Sequence, residues 1–274
     1  MLSPAHLEML APTAPKFVAT LGEDGWPNVV PVLSVCAGQE PSQLLFGEFM
    51  INKTRRNLEA DPHLAILVIT QDLRYYAVRG RLVAFQRAGP AFDLVSSQPL
   101  FRYNPYTGLR AVGIVRVEEA SPVRRLSAAG VAASFLGRRL SAAGRAPSAL
   151  GRPLQAPGGR GREAPAWPPP VREKFARLKA LKVLAWRGEH GYPVVVPDPA
   201  MIPSAGALLV RSGRGLPSGT LAAAAVLTAD PVAYQVKGRL AAGQPFARLE
   251  VTRIYSACPP LPGELIWRAN GCRP

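Results

Sequence analysis

The chain repeats itself. Residues 182–197, KVLAWRGEHGYPVVVP, align without gaps on residues 16–31, KFVATLGEDGWPNVVP. Lys, Ala, Gly, Glu, Gly, Pro, Val, Val and Pro coincide, and Tyr192 meets Trp26. Further on, Tyr234 to Leu240 (YQVKGRL) matches Tyr76 to Leu82 (YAVRGRL), and Leu208-Leu209-Val210 falls where Leu44-Leu45-Phe46 stands. Collinear matches at similar separations mean one supersecondary unit used twice, which restricts the chain to a tandem fold.

Each copy opens on a hairpin. Lys16 to Leu21 is apolar and β-branched enough for a strand, and Gly22-Glu23-Asp24-Gly25 is a turn signal. Asn28 to Val35 returns, broken at Pro31, which cannot donate to a ladder and so marks an edge or a bulge. Leu64 to Ile69, Tyr75 to Ala84 and Ala111 to Glu118 read as further strands, with a short helix over Ala91 to Ser97 after the Gly89-Pro90 turn.

Between these strands lies NKTRRNLEADP, residues 52–62, directly after an apolar run. It places a lysine, a hydroxyl and two arginines at the start of a short helix that Asp61-Pro62 ends. Free N–H groups and a partial positive charge make a helix start a site for a phosphate monoester. The same residues also suit a plainer arrangement, with Thr54 as an N-cap and the arginines on a solvated face.

In their order and motifs, residues 8–120 resemble the FMN-binding split β-barrel family, which includes pyridoxamine 5′-phosphate oxidases and small FMN-binding proteins. The resemblance rests on ATLGEDGWPNVVPV, LLFGEFMINKTRRNLEADPHLAILV and YAVRGRLVAF. It implies that Lys53, Thr54 and Arg55 hold the FMN phosphate. Val30, Pro31 and Val32 would offer backbone groups and an apolar edge to the ring, and Phe46 and Gly47 would line the ribityl chain. Asn57 would brace the loop or touch the cofactor. A bound flavin would carry the redox chemistry, making the chain a flavoprotein oxidoreductase or electron carrier. A deazaflavin or haem in the same groove is the alternative. Catalytic residues stay unassigned, because His6, His63 and His190 are isolated and no acid–base dyad or metal-ligand cluster stands out. No basic set for a pyridoxamine phosphate substrate is seen, so that activity is not expected.

The fold class expected is mainly β with short helices (α+β): two split β-barrels in tandem, joined by a basic linker. The boundaries are 1–120 for the first barrel, 121–170 for the linker, and 171–274 for a degenerate second barrel with a C-terminal tail. The second copy lacks the lysine–threonine helix start. RSGRGLPSGTLAAAA, residues 211–225, stands there, either a flexible loop or an anion nest using Arg211, Arg214 and Ser218. The family pairs barrels around its flavin. Two barrels in one chain therefore imply an intramolecular pseudo-dimer with one FMN site, while pairing of two chains stays open. Trp267 could stack on the ring or pack as a core residue.

Composition sets the outer limits. Net charge is +15, and 48% of residues are apolar, as in a globular protein. Much of the basicity sits in residues 121–170, which hold eight arginines against Glu163 and repeat RRLSAAG at 124–130 and 138–144. Val123 to Leu140 suits an amphipathic helix. This stretch raises nucleic-acid binding as another class, but only Phe135 and Trp167 supply aromatics, so a solvated linker is preferred. Cys36, Cys258 and Cys272 show no CxxC spacing and read as reduced and structural. No apolar run suits a membrane span and the N-terminus lacks a signal-peptide layout, so a cytoplasmic location is expected; the resemblance implies a small-molecule redox substrate or electron donor as partner.

Overall fold

The computed structural model describes residues 2–12, 14–102, 108–144, 167–212 and 216–269. The first half contains α1 (Pro4–Glu8), β1 (Lys16–Leu21), β2 (Pro27–Pro31), β3 (Cys36–Ala37), β4 (Gln43–Gly47), α2 (Asn52–Ala60), β5 (His63–Ile69) and β6 (Arg74–Gln86). It continues with α3 (Pro90–Ser96), α4 (Pro99–Arg102), β7 (Val112–Ala120) and β8 (Arg124–Arg125). The second half contains α5 (Ala128–Ala142), α6 (Pro169–Phe175), β9 (Leu181–Arg187), β10 (Pro193–Pro197), β11 (Ile202–Ser204) and β12 (Ala207–Val210). It ends with β13 (Leu221–Leu227), β14 (Ala233–Ala241), β15 (Ala247–Ser256) and β16 (Leu265–Arg268).

The repeat seen in the sequence is a repeat of topology. One antiparallel sheet runs β2-β1-β5-β6-β7-β4-β3 and the other β10-β9-β13-β14-β15-β12-β11. The protein is mainly β, with few short helices and two curled sheets arranged as tandem split barrels. Each curls around its own core: Val18, Phe46, Ile66 and Val115 in the first, Leu184, Leu208, Val236 and Ile254 in the second.

The shared motifs are structural. Lys16 and Lys182 occupy matching positions and are fully buried. Lys16 Nζ donates to the Ala11 carbonyl at 2.7 Å, and Lys182 Nζ to those of Pro199 and Met201 at 2.8 and 3.1 Å. Burial lowers their pKa values to about 8 and about 7. The shared glycine of YxV(K/R)GRL sits where each ladder slips register, between Arg79 and Gly80 and between Lys237 and Gly238. A Cβ on Gly80 would overlap the Arg116 carbonyl oxygen, and one on Gly238 that of Glu250. These are β-bulges that only glycine allows.

The two barrels pack face to face. Phe17, Ala19, Val29, Ala65 and Leu67 meet Val183, Ala185, Val195, Ala223 and Ala225 in one buried apolar layer. These are largely the same positions of the two copies, so the interface is self-complementary, as in a two-fold homodimer. No helix among the described residues is long and apolar enough to cross a membrane.

Residues 121–170 are less of a linker than their composition implies. β8 adds to the first sheet beside β6. Ser127 caps α5 by accepting the Gly130 N–H at 3.2 Å, and α5 then lies on the second barrel through Phe135 against Ala200 and Ile202. Arg138, one of the supposed solvated arginines, is buried against Asp198 at 2.7 Å. The rest of the Gly/Pro-rich stretch, residues 145–166, lies outside the described residues. α6 starts at Pro169, because proline suits a first helical turn, and stops at Phe175. Trp267 is not at a groove; it lies on β16 and packs against the second barrel's core.

Candidate functional site

A mostly apolar groove opens where β2 and the start of α2 face the second barrel. β2 is an edge strand, because it pairs only with β1 and because Pro31 has no N–H to offer a further strand. Val30, Pro31 and Val32 line this wall. Their backbone is largely engaged: the Val32 N–H donates to the Lys16 carbonyl at 2.9 Å, and the preceding Val29 carbonyl accepts from Gln235 Nε2 at 2.6 Å. The strand presents side chains and a proline face to the groove.

The start of α2 forms the polar end. Met50 takes a left-handed conformation (φ 54°), turning the chain sharply before the helix. Ile51 is the N-cap residue and supplies no side-chain cap, and Thr54 is three residues inside the helix instead. Three of the first N–H groups, those of Asn52, Lys53 and Thr54, therefore face the groove without a side-chain acceptor, and all three residues line it. Thr54 is buried and its Oγ1 accepts from Asn28 Nδ2 at 3.1 Å. Its own proton has no acceptor among the described residues. Lys53 Nζ stands 5.1 Å from the Tyr255 ring centroid, across the groove. Free N–H groups, a donor hydroxyl and an ammonium converge here.

Three predicted residues lie elsewhere. Arg55 is on the far side of α2, paired with Glu48 and Glu59 and stacked 4.5 Å over the Phe85 ring centroid. Its charge is neutralised and it does not line the groove. Phe46 is wholly buried in the first core, because β4 alternates and only its neighbour Gly47 reaches the cavity. Gly47 packs closely there: a Cβ would come within 2.7 Å of the side-chain ends of Phe101 and Leu109, which would have to shift. Asn57 braces the hairpin, donating from Nδ2 to Thr20 Oγ1 at 2.9 Å. His63 is held by Asp61 at 2.6 Å and packs on Tyr192, away from this groove.

The opposing wall comes from the second barrel: Leu227, Ala233 and Gln235 of β13 and β14, then Tyr255 and the turn from Ser256 to Gly263. Sequence reasoning found none of these, nor Asn28 and Ser34 of the first barrel. Gln235 and Tyr255 belong to strands recognised only as copies. What places them at a site is the packing of one barrel on the other.

Residues 2–125 match the profile of the pyridoxamine 5′-phosphate oxidase family. The match covers the first barrel and somewhat less than half of the chain. Among curated proteins none matches the chain significantly. Solved structures similar to it include HupZ of Group A Streptococcus, at 20% identity over 46% of this chain and 100% of that one, with a TM-score of 0.38. An FMN-binding protein from Syntrophomonas wolfei subsp. wolfei aligns at 16% identity over 43% of this chain and 83% of that one (TM-score 0.38). HutZ, a haem storage protein from Vibrio cholerae, aligns at 18% over 45% and 96% (TM-score 0.35). The pyridoxamine 5′-phosphate oxidase profile ends at the close of the first sheet, so the second barrel, with the same strand order, carries the fold without that match.

Proposed function

We propose that the protein is an FMN-binding flavoprotein whose cofactor lies in the groove between its two barrels, and that it serves as an oxidoreductase toward a small-molecule substrate or electron donor. The observation that carries this reading is the start of α2: an uncapped helix terminus, with Lys53 and the Thr54 hydroxyl, opening onto a long apolar cleft. That donor set suits one terminal phosphate, and the cleft suits a flat aromatic ring against Val30, Pro31 and Val32. The match of the first barrel to the pyridoxamine 5′-phosphate oxidase family model supports a flavin at this place.

The chain's own contributions follow from the geometry. Lys53, Thr54 and the α2 N–H groups hold the phosphate. Asn28 orients the Thr54 hydroxyl by occupying one of its lone pairs, so that the proton is free to donate. Gln235, fixed by its bond to the Val29 carbonyl, presents an amide from the opposite barrel. Tyr255 and the Ser256–Gly263 turn exclude water from one side. Hydride or electron-pair transfer is the chemistry a bound flavin supplies.

The test is direct. Purified protein is denatured and any released chromophore identified by chromatography, and the apo-protein is titrated with FMN, riboflavin, a deazaflavin and haem. FMN bound more tightly than riboflavin is expected. A colourless protein that takes up no FMN, or one that prefers haem, would overturn the assignment.

A further inference from the structure

The most unusual charge in the molecule lies beside this groove on the second barrel. Lys237 is completely buried, and its Nζ has no hydrogen-bond partner. It stands 5.6 Å from the Tyr255 ring centroid, the same ring that Lys53 approaches from the first barrel. Directly opposite it on the neighbouring strand is another cation, Arg253, whose Nε is also buried and unpartnered and whose guanidinium lies 5.1 Å from the Trp26 ring centroid. Like charges facing each other across a ladder are destabilising. The one acidic side chain acting on Lys237 is Asp24 in the first hairpin, which is exposed and accepts the Trp26 N–H at 3.2 Å. Burial, then Lys53, push the Lys237 ammonium well below the ordinary lysine pKa.

The pseudo-two-fold axis supplies the control. The position matching Lys237 in the first barrel is Arg79, and its cross-strand partner is Glu119, with which it forms an ion pair. Arg79 and Glu119 line a second groove on the opposite side of the interface, together with Ala77, Val194 and Leu216. That groove has no counterpart of α2 among the described residues. The pair at the second groove is thus neutralised, while Lys237 and Arg253, just behind the Tyr255 and Lys53 wall of the first groove, keep buried, unsatisfied donors beside a third cation.

We infer that Lys237 and Arg253 of the second barrel join Lys53 of the first in an anion site that grips the phosphate of the groove ligand from both sides of the interface. The inference rests on the reading of the groove as a phosphate-bearing flavin site. It assigns to the degenerate barrel a binding role beyond packing. An anion gives the orphaned Lys237 Nζ and Arg253 Nε an acceptor and removes the repulsion between the strands, which is why the cations persist without partners of their own.

The experiment uses the full chain and the Lys237→Met and Arg253→Met variants, with Arg79→Met as the control at the other groove. Methionine keeps the apolar stem, so apo Lys237→Met should melt no lower than wild type. Titration should show FMN affinity falling ~ten- to a hundred-fold in Lys237→Met, as expected for loss of a charge-assisted bond. Riboflavin affinity should not change, and Arg79→Met should bind FMN as wild type does. FMN bound equally by wild type and Lys237→Met would overturn the inference while leaving the flavin assignment intact. Thermal melts in inorganic phosphate, against the chloride salt at equal ionic strength, test the site if no flavin binds. A phosphate-dependent rise in Tm that disappears in Lys237→Met supports the anion site; an equal rise in both, or none in wild type, refutes it.

Discussion

Replacing Asp198 with asparagine should damage the protein much more than replacing its partner Arg138 with methionine. Both side chains are about 4% exposed and meet at 2.7 Å. Asp198 also accepts the Arg211 N–H at 2.6 Å and is the charge that favours protonation of Lys182, while Arg138 opposes it. Two buried cations therefore share one buried anion. Asp198→Asn strands Arg138 and forces Lys182 to stay neutral, and breaking such a pair costs about 3–5 kcal/mol. At roughly 2–4 °C per kcal/mol for a chain of this size class, Tm should fall by roughly 6–20 °C. Arg138→Met leaves Asp198 its backbone donor and lets Lys182 charge in compensation, so its cost should be about 1–2 kcal/mol. The pH dependence carries a second signature. With a folded pKa of about 7 against the ordinary lysine value of 10.5, Lys182 binds fewer protons folded than unfolded between those values. Stability therefore rises with pH across that window and is lost as pH falls toward 7. Arg138→Met raises the folded pKa and should flatten this slope. Calorimetric melts from pH 7 to 10 read both effects. Equal losses in the two variants, or a steeper slope in Arg138→Met, would refute the reasoning.

Three further outcomes follow from the site and its scaffold. Titration of apo-protein by flavin fluorescence quenching should give about one FMN per chain, because only one groove holds the α2 terminus; two equivalent sites would contradict the pseudo-dimer. Thr54→Val should leave the buried Asn28 donor unpaired, costing about 1–3 kcal/mol by chemical denaturation, and should weaken FMN binding, with Thr54→Ser restoring both. Gly238→Ala drives a methyl into the Glu250 carbonyl and should lower stability by about 3 kcal/mol or more, whereas Gly219→Ala, whose Cβ meets nothing, should pay only the cost of its left-handed backbone.

The fold was legible because its signals are local. Hairpin turns, the edge proline and the bulge glycine each enforce geometry within a few residues, and their recurrence disclosed the second copy. The site was legible only in part. Lys53 and Thr54 could be placed because a helix start is a local object, and Val30 to Val32 because an edge strand is one too. Arg55 misled: beside a phosphate-type lysine it reads as another ligand, yet its position on α2 turns it toward Glu48 and Glu59. Phe46 misled through strand alternation, where a shift of one residue exchanges core for cavity. Gln235 and Tyr255 were beyond reach, since their place on the groove comes from a contact between segments 206 residues apart. The arginines of residues 121–170 looked solvated for the same reason, as Asp198, which buries Arg138, lies sixty positions downstream.

The repeat's symmetry and its breakage together explain why one chain would keep a barrel that lost its own helix start. A two-fold pair of identical barrels must place the same residues in both grooves, so a cation added to one appears in both and an acid that neutralises one neutralises both. Joining the copies removes that constraint. Here the interface layer has stayed apolar in both copies, with Ala19 matching Ala185, Val29 matching Val195, and Phe17 standing at the position of Val183, because packing demands it from both sides. The grooves have not stayed alike. At the bulge before the shared glycine, one copy carries Arg79 tied to Glu119 and the other Lys237 facing Arg253. Where the barrels touch, the exchanges keep the positions apolar; beside the clefts they change the charge. That contrast fits a single asymmetric binding site, with the interface held to apolar packing and the two clefts free to differ in charge.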